Sequence, residues 1–185
     1  MYYDDLTPYE YTHDEVWYDR STGMHFLRYE PTYQRLNIGW LQADQPWTAA
    51  PAPEGFVSRL LAIIDAQDVN SMLGHHDCDL CSTPLPLSHP WYEPRPGHQR
   101  ASANTSEIRV PANDNIAYAA PHLVGHYVTD HGYLPPQPFI DAVLAFDPHS
   151  PWPTHCPQIR FPWIPSQARL RFIDDDDLWN DHAGT

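Results

Sequence analysis

The spacing of hydrophobic positions changes along the chain, and each change marks an element. Residues 25–30 (H-F-L-R-Y-E) and 35–41 (R-L-N-I-G-W-L) alternate apolar with polar side chains, the period of a half-buried strand, with Pro31-Thr32 in the turn between them. From Pro53 the period becomes helical. Phe56, Leu60, Leu61, Ile63 and Ile64 share one face, proline is tolerated in a first turn, and the helix is expected to reach about Asp68 and cover a sheet. Residues 106–110 (S-E-I-R-V) and 116–119 (I-A-Y-A) flank the turn-rich link P-A-N-D-N and predict a hairpin. A second helix is expected from Ala120-Pro121 to Gly132. A third starts near Pro136, carries Phe139, Ile140, Val143 and Leu144 on one face, and stops at Asp147-Pro148. Residues 169–173 (R-L-R-F-I) predict a last strand.

These elements describe an α+β fold, a small, mostly antiparallel sheet with about three helices and long proline-rich loops. One domain over residues 1–173 is expected, followed by an acidic tail, 174–185, that opens D-D-D-D. The 21 prolines in 185 residues are about double ordinary usage. They concentrate in 84–98 (P-L-P-L-S-H-P-W-Y-E-P-R-P-G-H) and 151–165 (P-W-P-T-H-C-P-Q-I-R-F-P-W-I-P), which excludes helix and central strand there. The first passage is expected to wrap the domain, because Leu85, Leu87 and Trp91 need cover. Residues 1–24 mix tyrosine and tryptophan with aspartate and glutamate, and packing is the expected role of those rings.

The net charge is −14 and every basic residue is arginine. Free nucleic acid is thereby excluded as a ligand, whereas a basic partner is favoured. No basic-then-apolar leader and no membrane-length apolar run is present, so a cytoplasmic, soluble protein is expected.

The densest chemistry lies in residues 74–81, G-H-H-D-C-D-L-C. Three cysteines, Cys78, Cys81 and Cys156, do not make a disulfide framework, and C-x-x-C in a non-secreted chain points to metal or redox chemistry. Zinc takes thiolate and imidazole in a tetrahedron, and a C-x-x-C turn offers two sulfurs from one bend. The remaining ligands are sought among His76 (or His75) beside the knuckle and His122, His126 and His131 downstream. His126 is common to the workable pairings, and His131 joins it only where the helix loosens before Gly132. His155 and Cys156 are outside candidates. Two thiolates and two neutral histidines leave zinc uncharged with no open position, the pattern of a structural site.

The chain resembles a family of bacterial proteins, met mostly in actinobacteria and proteobacteria, that share a domain of unknown function. The resemblance lies in D-L-T-P-Y-E-Y (5–11), L-N-I-G-W-L (36–41), H-D-C-D-L-C (76–81), S-E-I-R-V-P (106–111) and Y-A-A-P-H-L-V-G-H-Y-V-T-D-H-G-Y-L-P-P (118–136). It implies a compact domain with His76, Cys78, Cys81, His126 and His131 at matching positions. His122 departs from the pattern, and no activity carries over.

Three functional readings follow. A non-enzymatic, zinc-stabilised domain would bind another protein, for instance as an immunity-type or regulatory partner of a basic protein. A zinc hydrolase or deaminase would use His13-Asp14-Glu15 as H-x-E, with Glu15 shuttling protons beside Cys78 and Cys81; Asp77 stands where that signature wants proline. A dithiol redox pair would need a strand before Cys78 and a helix starting at it, but residues 74–79 read as a loop.

Overall fold

The computed structural model describes residues 1–18, 26–31, 33–72, 74–82, 84–92, 100–113, 116–147 and 169–173. Among them are three helices and eight short strands, an α+β fold with a mixed sheet. The predicted hairpin forms from β6 (Glu107–Asn113) and β7 (Ile116–Pro121), paired antiparallel. On the other side of β7 lies β3 (Gln34–Asn37), running parallel to it. A second antiparallel group consists of β1 (Glu15–Tyr18), β2 (Phe26–Glu30) and β8 (Arg169–Ile173), with β2 central. Val69 bridges to Trp17 and to Glu107 and so connects the two groups. Separately, β4 (His75–Asp77) and β5 (Ser102–Asn104) form a short antiparallel ribbon.

Helix α1 (Phe56–Ala66) buries Phe56, Leu60, Ile63 and Ile64, as the spacing predicts, and packs on α2 (Val124–Asp130) and α3 (Gln137–Ala145) as well as on β6. Phe139 of α3 lies edge-on to both Phe56, at 6.3 Å, and Tyr118 of β7, at 5.6 Å. Edge-to-face rings are a favourable packing geometry beyond the area they bury. Leu144, placed by periodicity on the apolar face of α3, is instead partly exposed.

Several expectations are corrected. The second helix starts at Val124 rather than at Ala120-Pro121, because residues through Pro121 continue β7, where Glu107 pairs with Pro121. Ala117, Ala119 and Ala120 are fully buried there, so tertiary pairing overrides a local helical preference. Strand β3 stops at Asn37, and the chain turns at Gly39 with φ 68°. A Cβ at Gly39 would lie 2.7 Å from Val124 Cγ2, so only glycine suits both the dihedral and the space. Residues 75–77, read as loop, are strand β4. Of the proline-rich side chains expected to need cover, Leu85 and Trp91 pack against the core but Leu87 is 81% exposed. The second proline-rich passage and the acidic tail lie outside the described residues. No described helix is long and apolar enough to cross a membrane.

The amino-terminal rings do pack. Tyr9 and Trp17 are buried, and Trp40 is met by Tyr3 edge-on at 5.8 Å and by Tyr9 at 6.2 Å. Beneath Tyr9 sits a buried ionic cluster. Arg109 donates from Nε to both oxygens of Glu15 (2.7 and 3.0 Å) and from Nη1 to Glu107 (2.7 Å), while Arg35 Nη1 donates to Glu15 at 2.8 Å. Both guanidinium carbons stand over the Tyr9 ring, at 4.7 and 4.8 Å, and its hydroxyl donates to Glu107 at 2.9 Å. Arg109 stays charged because two carboxylates face it, whereas burial pushes the Glu107 carboxyl up against the pull of Arg109.

Candidate metal centre

Cys78 and Cys81 belong to the hydrophobic core. The Cys78 N–H donates to the Ala101 carbonyl at 2.7 Å, which fastens the knuckle to the chain entering β5. Opposite them, α2 carries buried His126 and ends at Asp130, one residue before His131. His131 has φ −108° and ψ −3°, Gly132 follows in the left-handed region at φ 67°, and the Tyr133 N–H returns to the Tyr127 carbonyl at 3.0 Å. This unwinding allows two histidines five apart to converge, which a continued helix would forbid.

Cys78 Sγ, Cys81 Sγ and the Nε2 atoms of His126 and His131 come together with all four ligand atoms within 4.8 Å of one another. The separations are 3.1 Å between the two imidazole nitrogens, 3.2 Å from Cys81 to His126, 3.5 Å from Cys81 to His131 and 3.4 Å from Cys78 to His131. Zinc–ligand bonds of about 2.05 Å to nitrogen and about 2.3 Å to sulfur, at tetrahedral angles, imply edges of about 3.3 Å (N to N) and about 3.6 Å (N to S). The four separations match those edges within about 0.4 Å. The donor set and these four edges therefore suit a metal ion bound by two sulfurs and two nitrogens.

Burial and the neighbouring Cys81 push the Cys78 thiol up to about 12. Burial lowers His126, with Asp130 pulling the other way, and it lowers His131. Burial raises the Tyr127 hydroxyl, and Cys78, Asp79 and Cys81 beside it add to the effect. Neutral imidazoles suit metal binding as they stand, whereas an arriving cation must displace the thiol protons. The His126 Nδ1–H is taken by Asp130, which leaves Nε2 as a lone pair aimed at the cluster.

Other sequence candidates stand elsewhere. His76 is exposed on β4, outside the group of four, and lines a hollow with Tyr11, Trp40 and Tyr127. His75 precedes it on the same strand and is also outside the group. His122 is buried with Nε2 3.0 Å from the Gln67 carbonyl, a hydrogen-bonded core histidine. His13 is exposed against Asp14, and Glu15 is bound to two arginines in the cluster under Tyr9. His155 and Cys156 fall outside the described residues. Asp130 was overlooked in the sequence, although His126 and Asp130 are four apart, the spacing of neighbours on one helix face. The buried Glu15–Arg35–Glu107–Arg109 set was missed too; its one local signal was E-I-R, which puts Glu107 and Arg109 on the same side of β6.

A family model described as a domain of unknown function, DUF7919, matches residues 1–144, and the chain belongs to that family. No curated protein and no solved structure matches it.

Proposed function

We propose that this DUF7919 domain is a non-enzymatic binding module in which Cys78, Cys81, His126 and His131 hold a structural zinc ion. The observation that carries the reading is the convergence of four protein donors, two thiols and two imidazoles, within 4.8 Å of one another. A catalytic zinc keeps three protein ligands and a water, whereas four protein donors complete the shell. Two thiolates offset the ion's charge, and the bound metal would tie the knuckle between β4 and β5 to the end of α2. Zinc is favoured over harder cations by its affinity for sulfur and imidazole nitrogen.

The hydrolase reading finds no support in Glu15, whose oxygens are engaged by Arg109 and Arg35. The redox reading has a strand, β4, before Cys78 but lacks a helix starting there, since bends follow at Asp79 and Leu80. A basic partner is supported by the net charge and by an open cleft of about 390 Å³ lined by Tyr2, Tyr3, Asp4, Asp5 and Trp47. Aromatic faces and carboxylates together favour an organic cation.

The test is metal content by mass spectrometry on full chain purified without added metal, with cobalt substitution as a probe of geometry. One zinc per chain and intense tetrahedral cobalt bands are expected. Absence of stoichiometric metal together with a Cys78–Cys81 disulfide would overturn the zinc reading. For the partner, titration with an arginine-rich peptide should give salt-sensitive binding weakened by Trp47→Ala; no binding at low salt would count against it.

A further inference from the structure

The proline-rich residues 84–92 lie against the metal centre, and their hydrogen bonds, joined by a His89–Asp130 ion-pair contact, lead into it. Residues 86–92 fold through two turns, with the His89 N–H on the Pro86 carbonyl (2.9 Å) and the Tyr92 N–H on the His89 carbonyl (3.0 Å). The Trp91 carbonyl then accepts from the Ser102 N–H at 3.0 Å, which fixes the far end to β5. Within this segment the Trp91 N–H donates to His89 Nδ1 at 3.3 Å. With Nδ1 accepting, the neutral ring carries its proton on Nε2. That atom faces Asp130 Oδ1 at 3.5 Å. The other carboxylate oxygen, Oδ2, takes the Nδ1–H of His126. One path of polar contacts therefore runs from the Trp91 backbone through His89 and, by the 3.5 Å ion-pair contact, Asp130 to His126, and it ends on the nitrogen that points at Cys81 and His131.

Packing reinforces the same path. The rings of His89 and Trp91 lie 6.2 and 6.0 Å from that of His126, and Trp91 reaches so close to α2 that a Cβ on Gly125 would fall 2.9 Å from its Cζ2. His126 is fully buried and Asp130 partly so. An ion leaving by way of His126 must therefore disturb this cover.

We propose that Asp130 and His89 are positioning residues of the metal centre, and that residues 84–92 act through them as a clasp that sets how tightly the ion is held and how fast it leaves. This rests on the zinc reading and extends it. A carboxylate behind a ligating imidazole fixes the ring and raises its basicity, and removing such a partner costs about 10- to 100-fold in metal affinity.

The experiment uses the zinc-loaded full chain, a chromogenic chelator to follow release, and competition titration for affinity. Asp130→Asn should weaken affinity by about 10- to 100-fold, and Asp130→Glu should recover part of that loss. His89→Gln, which leaves Asp130 in place, should speed release by at least about tenfold, the lower end of the same range. Leu87→Ser, on the exposed side of the same segment, should change neither quantity. Cobalt-loaded His89→Gln should keep the tetrahedral spectrum, which separates loss of the clasp from loss of a ligand. If His89→Gln and Asp130→Asn both bind zinc and release it within twofold of the parent chain, the clasp is refuted while the zinc reading stands. If the parent chain itself holds no zinc and gives no tetrahedral cobalt spectrum, the zinc reading has failed.

Discussion

Glu15→Gln separates a structural carboxylate from a catalytic one. Glu15 and Glu107 face Arg35 and Arg109 in a buried set whose charges cancel, and Glu15 is itself fully buried. Glutamine keeps the shape and one acceptor oxygen but leaves an excess positive charge in the core. Breaking a buried pair in this way costs about 3–5 kcal/mol, since the arginines lose more than a hydrogen bond. For a chain of this size that corresponds to a fall of about 6–20 °C in melting temperature. Thermal and urea unfolding followed by circular dichroism would measure it. The double variant Glu15→Gln with Arg35→Met restores charge balance and should be more stable than Glu15→Gln alone, because the stranded charge is gone. A Glu15→Gln protein within about 1 kcal/mol of the parent, with the second change simply adding its own loss, would refute the electrostatic account of the cluster.

Three further outcomes are expected. Cys78→Ser should abolish stoichiometric zinc and lower the melting temperature by more than about 10 °C, measured by metal analysis and calorimetry, because bound metal contributes directly to folding. Burial holds the folded-state imidazoles of His126 and His131 below their ordinary value. Their contribution is complete above the unfolded value of about 6.5 and is lost as pH falls through the depressed folded values, so urea midpoints of the metal-free chain should drop as pH falls below about 6.5. Gly125→Ala gains about 1 kcal/mol of helix propensity but sets a Cβ 2.9 Å from Ile64 Cδ1 and Trp91 Cζ2 and 3.1 Å from Leu61 Cδ2. Overpacking of about 1–3 kcal/mol should prevail, and a thermal melt should show a loss of a few degrees.

The parts of this molecule that were legible in the sequence are those governed by local periodicity. Helix α1, helix α3, the β6–β7 hairpin and strand β8 follow from spacing and turn residues alone. Cys78, Cys81, His126 and His131 were also identifiable, and the condition for His131 to reach the cluster, a helix that loosens before Gly132, is met by the break after Asp130. What periodicity could not supply was direction and partnership. His76 is near the knuckle in sequence, yet β4 pairs with β5 and carries it outside the group of four. Residues 120–121 have helical company but lie in a strand because β6 is alongside. The ionic cluster joins Glu15 to Arg109 across 94 positions, a distance over which no local pattern operates.

Long-range ties of this kind also set the order in which the protein can form. The Tyr133 hydroxyl donates to the Asp5 carboxylate, 2.7 Å from Oδ2 and 2.9 Å from Oδ1, across 128 positions, and Tyr9 meets Glu107 across 98. At a synthesis rate of about 5–20 residues per second, the 128 positions between Asp5 and Tyr133 take about 6–26 s to emerge. Throughout that interval the tyrosine-rich residues 2–11 can meet Trp40 but not the partners that Glu107 and Tyr133 provide. Residues 2–11 therefore reach their final packing only after residues 107–133 have been made, so synthesis itself delays the closing of this face.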